Sequence, residues 1–122
     1  KLANGNWVYG GAVRDKLLRA CAGLIAELVL ADDGRPYLAM LAWPRPGATL
    51  EAVAEAVRSY NGDARGGAVI KRVALFDTPP DPGAHELSDK GTINRRAVLD
   101  GRRALVERVF ANPPGEGVAV TG

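Results

Sequence analysis

Two apolar runs separated by a short polar turn constrain the fold of this chain most. The runs are "GLIAELVLA" at 23–31 and "YLAMLAW" at 37–43, and the turn between them is "DDGRP". Because charge hardly interrupts either run, each is expected to be a strand buried on at least one face. A turn this short joins neighbouring strands that run in opposite directions. The sequence therefore predicts an antiparallel strand pair.

The rest of the chain predicts helices and one more main strand. Apolar residues recur at helical spacing over about 12–21, 48–62 and 93–110. Thr49 is the expected N-cap of the second helix, and Asn61-Gly62 its expected end. "AVIKRVALF" has the period of a third main strand. The segment "DTPPDPGAHELSDKG" that follows it is too rich in proline and glycine for regular structure.

These elements predict an α+β fold with a small three-stranded mixed sheet flanked by helices, and an N-terminal β-hairpin around Asn4-Gly5. The 122 residues fit one domain, expected at 1–110, with a flexible tail at 111–122. The chain begins at Lys1, without a methionine and within a strand-like stretch. We therefore expect it to be a piece of a longer protein.

Composition argues against several classes of function. A net charge of +2 does not indicate nucleic-acid binding, and no apolar run approaches the roughly 18 residues of a membrane helix. The lone Cys21 cannot form an internal disulfide, so a cytoplasmic location is expected. One histidine, His85, and one cysteine do not make a typical transition-metal site, so no metal site is predicted. Ser88 lies too close in sequence to His85 and Asp89 for a catalytic triad.

Five arginines lie in the last predicted helix: Arg95, Arg96, Arg102, Arg103 and Arg108. The ordinary interpretation is a solvated face with i,i+4 ion pairs, in which Arg102 and Arg103 are exposed. The alternative is a non-enzymatic α+β binding module that uses this helix to hold an acidic partner.

Lys90 lies in the polar loop just before the same helix, where Thr92 is a plausible N-cap. Unpaired N–H groups at a helix start favour an anion, and a flexible ammonium in front of them would suit a phosphate or a carboxylate. A lysine in a loop is nevertheless ordinarily a surface residue.

Both ends of the chain resemble motifs of the adenylate-forming superfamily, which includes the acyl-CoA synthetases. "KLANGNWV" is similar to the core motif that follows the hinge of these enzymes, and "ELSDKGTINRRAVL" is similar to their closing motif. The best match is to feruloyl-CoA synthetase-like members. The resemblance spans residues 1 to about 110, with the two motifs in the right order.

The resemblance implies a mobile C-terminal lid domain of an ATP-dependent acid–CoA ligase, inactive as the isolated chain. An N-terminal adenylate-binding domain of the same polypeptide would hold ATP, its Mg²⁺ and the acid, which the subgroup implies is a hydroxycinnamate-type aromatic acid. Lys90 would be the catalytic lysine of acyl-adenylate formation. CoA would then react on the side of the N-terminal hairpin, lined by Lys1, Gly5, Asn6 and Trp7.

The register of the closing motif leaves an alternative for the lysine. Aligning "INRR" on the usual pattern "G-K-I-x-R" places Thr92 where the lysine belongs and leaves Lys90 two residues upstream. Lys90 is the only lysine in this segment, so the resemblance assigns the catalytic role to it.

Overall fold

The computed structural model describes residues 10–32 and 34–122. Its regular elements, in chain order, are α1 (Gly10–Ala20), β1 (Ile25–Ala31), β2 (Leu38–Pro44), α2 (Leu50–Asp63), β3 (Ile70–Leu75), α3 (Arg95–Gly101), α4 (Arg103–Phe110) and β4 (Val118–Val120). The expected N-terminal hairpin lies outside the described residues. None of the helices within 10–32 and 34–122 is long and apolar enough to cross a membrane.

The four described strands form one mixed sheet in the order β1-β2-β3-β4. β1 and β2 pair antiparallel, with Val29 opposite Leu41, as the two apolar runs predict. β2 and β3 pair in parallel, because α2 carries the chain back between them. The α+β class and the mixed sheet flanked by helices are confirmed.

The sheet has four strands rather than the expected three. β4 pairs antiparallel with β3, with Ala119 opposite Val73. It lies in the segment 111–122, which was expected to be a flexible tail, and both Ala119 and Thr121 are buried. Proline and glycine around 113–117 hid this strand, because only three residues, "VAV", follow them with strand character.

Helices cover both faces of the sheet. One apolar layer includes Leu17 from α1, Val53 and Val57 from α2, and the β2 residues Leu38 and Met40. The other layer packs residues of α3 and α4 on the opposite face of the strands: Val98, Leu105, Val106 and Val109. The second helix has the predicted N-cap, since Thr49 Oγ1 accepts a hydrogen bond from Ala52 N at 3.1 Å.

The single helix expected over 93–110 is two helices that meet at Arg102. This residue has φ −118° and ψ 40°, outside helical geometry, and it follows Gly101, a weak helix former. The apolar spacing continues across the break, so periodicity alone did not reveal it. The break turns the Arg102 side chain toward the loop that precedes α3.

Candidate functional site

The segment 86–94, called here the Lys90 loop, is closed like a small hairpin. At its base Asn94 N donates to the main-chain oxygen of Glu86 at 2.9 Å. Leu87 and Ile93 then form an antiparallel bridge. The tip, which carries Lys90, is thereby held above a paired stem.

Ser88 organises the tip of the Lys90 loop. Its Oγ accepts hydrogen bonds from Lys90 N at 3.2 Å and Thr92 N at 3.0 Å. Its main-chain N donates to Thr92 O and its main-chain oxygen accepts from Gly91 N, both at 2.9 Å. Gly91 has φ +80°, which a glycine adopts without strain. Ser88 is therefore a turn-forming residue here.

The side chains of Lys90 and Thr92 are both exposed. The Lys90 ammonium forms no ion pair within residues 10–32 and 34–122. Thr92 lines a cavity of about 700 Å³ between the loop and β1, together with Gly91 and Leu30. Exposure does not separate the two residues, and Lys90 differs from Thr92 in carrying a positive charge.

Asn94, and not Thr92, is the N-cap of the helix that follows. Asn94 Oδ1 accepts a hydrogen bond from Ala97 N at 3.3 Å. The expected cap was wrong by two residues because the Thr92 amide and carbonyl are used within the turn of the loop. α3 has only 7 residues, so the expected contribution of a long helix dipole to an anion site is not supported.

A buried ion pair holds the base of the Lys90 loop. Arg102 Nε and Nη2 donate to the two carboxylate oxygens of Glu86, each at 3.0 Å. The Glu86 side chain is 3% exposed and that of Arg102 is 14% exposed. The hydrogen bond from Arg102 is the first cause that holds the pKa of the Glu86 carboxyl below its usual value, and the amide of Asp81 adds to it.

Arg102 also binds the loop that precedes the Lys90 loop. Its guanidinium donates to Thr78 O at 3.0 Å and to Pro79 O at 2.7 Å. It lies over the Phe76 ring, 4.7 Å from the ring centroid. The expectation that Arg102 is an exposed surface arginine is therefore wrong, because this side chain joins the helix break, the sheet and two loops.

Other arginines of the same region also pair with carboxylates of this chain. Arg95 binds Asp32 and donates to Leu30 O at 2.6 Å. Arg103 lies 3.6 Å from Asp100 in an exposed i,i+3 pair. Arg95, Arg102 and Arg103 are each engaged within the domain, through contacts other than the expected i,i+4 pairs.

The site residues predicted on the CoA side stay predictions. Lys1, Gly5, Asn6 and Trp7 lie outside the described residues. In the described part of the chain no group of three or more His, Cys, Asp or Glu side chains could hold a metal ion. Glu86, Asn94 and Arg102 were missed as site residues. Only Asn94 carried a sequence signal, since asparagine is a favoured N-cap.

Comparisons with known proteins show which family this domain matches and which solved structures share its fold. The family described as "AMP-binding enzyme C-terminal domain" matches residues 2–113. Among curated proteins, none matches. The A domain of carboxylic acid reductase from Segniliparus rugosus, in complex with AMP and a co-purified carboxylic acid, is similar with a TM-score of 0.75 and 18% identity, over 93% of this chain and 20% of that chain.

A second structure of the same reductase is also similar. The A-PCP didomain in complex with AMP matches with a TM-score of 0.68 and 18% identity, over 89% of this chain and 16% of that chain. This chain thus spans a fifth or less of the neighbours' length, and at this identity the likeness shows the fold. Because the family match covers most of its length, the chain belongs to the family of C-terminal domains of AMP-binding enzymes.

Proposed function

We propose that this chain is the mobile C-terminal lid of an ATP-dependent acid–CoA ligase, and that Lys90 is its catalytic residue for acyl-adenylate formation. The observation that carries the proposal is the exposed Lys90 ammonium at the tip of a hydrogen-bonded loop, where it has no ion-pair partner in the part of the chain that the structure describes. Membership of the family supports it, and so does the AMP in both neighbouring structures.

In the first half-reaction a carboxylate oxygen of the acid attacks the α-phosphorus of ATP. An O–P bond forms and the bond to pyrophosphate breaks. Two anions must approach each other, so an ammonium fixed between them lowers the barrier. Lys90 supplies that ammonium. The N-terminal adenylate-binding domain of the same polypeptide would hold the acid, and ATP with its Mg²⁺.

In the second half-reaction the sulfur of CoA attacks the acyl carbon of the adenylate. A C–S bond forms, the C–O bond to AMP breaks, and the thiol proton is released. Lys1, Gly5, Asn6 and Trp7 would line this second arrangement, where Gly5 permits a close approach of the backbone and Trp7 offers an apolar wall. The resemblance of both end motifs to feruloyl-CoA synthetase-like enzymes supports a hydroxycinnamate-type acid.

The test separates the two half-reactions in the full-length enzyme. Lys90→Ala is expected to slow acyl-adenylate formation by at least about 10²-fold, as loss of one oxyanion donor does. Thioester formation from pre-made acyl-adenylate should stay nearly normal. Lys16→Ala, which removes an exposed lysine of α1, is the matched control and should leave both half-reactions unchanged.

Three outcomes contradict parts of the proposal. Unchanged adenylation in Lys90→Ala removes the catalytic role, and a larger loss in Thr92→Ala moves it to the alternative register. Adenylation without any CoA thioester product would favour an acid-activating domain of a reductase, the second candidate suggested by the carboxylic acid reductase neighbours. We expect the chain by itself to form no acyl-adenylate.

A further inference from the structure

We propose that Glu86 and Arg102 are positioning residues for adenylation, which hold the base of the Lys90 loop so that the Lys90 ammonium meets the reacting oxygens. This inference rests on the proposed role of Lys90 and adds to it the part of the domain that fixes the lysine in place.

The contacts form a continuous path from the ion pair to the tip. Glu86 binds Arg102 through its side chain and accepts a hydrogen bond from Asn94 N through its main chain, at 2.9 Å. Above this closure lie the bridge between Leu87 and Ile93 and the hydrogen bonds around Ser88. Lys90 is only four residues from Glu86, so a displacement of the base displaces the tip.

Arg102 is itself fixed in the domain. It lies at the helix break, as the N-cap residue of α4, and its guanidinium lies over the buried Phe76 ring. Two further donors bind Thr78 O and Pro79 O. The Lys90 loop is therefore joined through one guanidinium to a helix, the sheet and the preceding loop, and it cannot shift as a unit unless these bonds break.

Stability alone does not account for a charged pair at this position. Replacing a buried ion pair by well-packed apolar residues is often neutral or stabilising, since desolvation offsets most of the attraction. The two parallel hydrogen bonds instead fix both the distance and the orientation of the carboxylate. A residue that must set the direction of a loop needs such geometry, and a lysine misplaced by about 1 Å can lose about 10²-fold in rate.

The experiment uses Glu86→Gln in the full-length enzyme, because this change keeps the shape of the side chain and removes its charge. We expect kcat for adenylation to fall roughly 10-fold to 100-fold, with KM for ATP nearly unchanged. Thioester formation from pre-made adenylate should stay near normal. A purely structural loss would lower both half-reactions by the same folded fraction, and that result would overturn the inference.

Two variants serve as comparisons for Glu86→Gln. Arg102→Lys keeps the charge but loses the two-pronged hydrogen bonding, so it should show the same selective loss of adenylation, and it provides the test if Glu86→Gln fails to fold. Asp100→Asn breaks the exposed pair with Arg103 nearby and should change neither half-reaction. Normal adenylation in either of the folded variants Glu86→Gln and Arg102→Lys overturns the inference.

A double variant shows whether Glu86 acts through the lysine. In a Lys90→Ala background, Glu86→Gln should slow adenylation no further; an equal additional loss would overturn the inference. If Lys90→Ala slows adenylation and Glu86→Gln does not, only the positioning role fails. If Lys90→Ala has no effect, the catalytic role proposed for Lys90 fails and the positioning role fails with it.

Amide hydrogen exchange measures local opening of the Lys90 loop independently of activity. The amides of Gly91 and Thr92 are hydrogen-bonded to Ser88. In Glu86→Gln they should exchange at least about 10-fold faster, while amides of β2 keep their protection. Unchanged exchange at both positions would overturn the inference.

Discussion

Both faces of the sheet combine an apolar layer with polar contacts, but the polar contacts hold different parts of the chain. On the face covered by α1 and α2, which buries Leu17, side chains of α2 bind strands: Asn61 Nδ2 donates to Ile70 O at 2.9 Å and Arg58 Nη2 to Val120 O at 3.0 Å. On the face covered by α3 and α4, the Arg102 side chain binds an irregular loop through Glu86. A loop without regular backbone pairing depends more on such directional bonds for a fixed position.

Arg72 and Arg35 show the same use of arginine on the second face. Arg72 Nη1 donates to Val109 O at 3.0 Å and to Ala111 O at 2.6 Å, where α4 ends. Arg35 binds Glu107 at 2.9 Å. Main-chain oxygens at a helix end have no partner within the helix, so the Arg72 guanidinium satisfies those at the end of α4, whereas Arg35 binds a side-chain carboxylate. The face that carries the Lys90 loop is thus fixed by long-range polar contacts.

The largest expected effect on stability comes from Arg102→Met. It leaves the Glu86 carboxylate buried without its partner, which costs about 3–5 kcal/mol in the free energy of unfolding. Urea denaturation of the chain at pH 7 measures the loss. Arg103→Met is the control, because the Arg103 side chain is 65% exposed and its loss should stay within about 0.5 kcal/mol. Equal losses in Arg102→Met and Arg103→Met would show that the buried pair stabilises the chain no more than the exposed pair does.

The same pair gives stability a pH dependence of known sign. The pKa of the Glu86 carboxyl is lowered in the folded chain, chiefly by the hydrogen bond from Arg102, so the unfolded chain binds a proton more readily. The contribution is complete above the usual pKa of 4.5 and is lost as the pH falls through the lowered value. The fall in unfolding free energy between pH 7 and pH 3 should therefore be smaller in Glu86→Gln than in the unchanged chain.

On the face covered by α1 and α2, Leu17→Ala is expected to lower the free energy of unfolding by about 3 kcal/mol, because buried apolar surface is lost and a cavity remains. Leu17 is fully buried, whereas its neighbour Leu18 is only partly buried, so Leu18→Ala should cost less. In the full-length enzyme Leu17→Ala should lower both half-reactions by the same factor, set by the fraction that is folded. A selective loss of adenylation would mean that this face also positions the Lys90 loop.

The sequence predicted the elements whose signal is local. β1, β2 and β3 followed from apolar runs and alternation, and the N-cap Thr49 followed from its position before a helical period. β4 was missed because three residues carry little pattern, and the break at Arg102 was missed because apolar spacing continues through it. In both cases pairing between distant segments decides the structure.

The candidate site shows the same difference between local sequence signals and pairing of distant segments. The sequence could nominate Lys90 because it lies within one continuous motif, and its catalytic role stays a prediction. Glu86 and Arg102 are 16 residues apart with a helix between them, and no periodic spacing links a glutamate to an arginine at that separation. Their pairing requires the folded chain, so a search of the sequence for clustered charges assigned Arg102 to the surface.

The smallest expected effects separate the two faces through their helix caps. Thr49 caps α2 on one face of the sheet, and Asn94 caps α3 on the other face, beside the Lys90 loop. Thr49→Ala and Asn94→Ala should each lower the free energy of unfolding in urea denaturation by about 1 kcal/mol, since each leaves one amide without its side-chain partner.

Only Asn94→Ala should also slow adenylation, by a few-fold. Loss of the cap loosens the start of α3, and the main-chain N–H of Asn94, which lies there, closes the loop on Glu86. Asn94→Asp, which keeps a capping oxygen, should restore most of both losses. Thr49→Ala should leave adenylation unchanged. If it slows adenylation as much as Asn94→Ala does, overall helix stability sets the rate, and the contacts around the Lys90 loop have no separate positioning role.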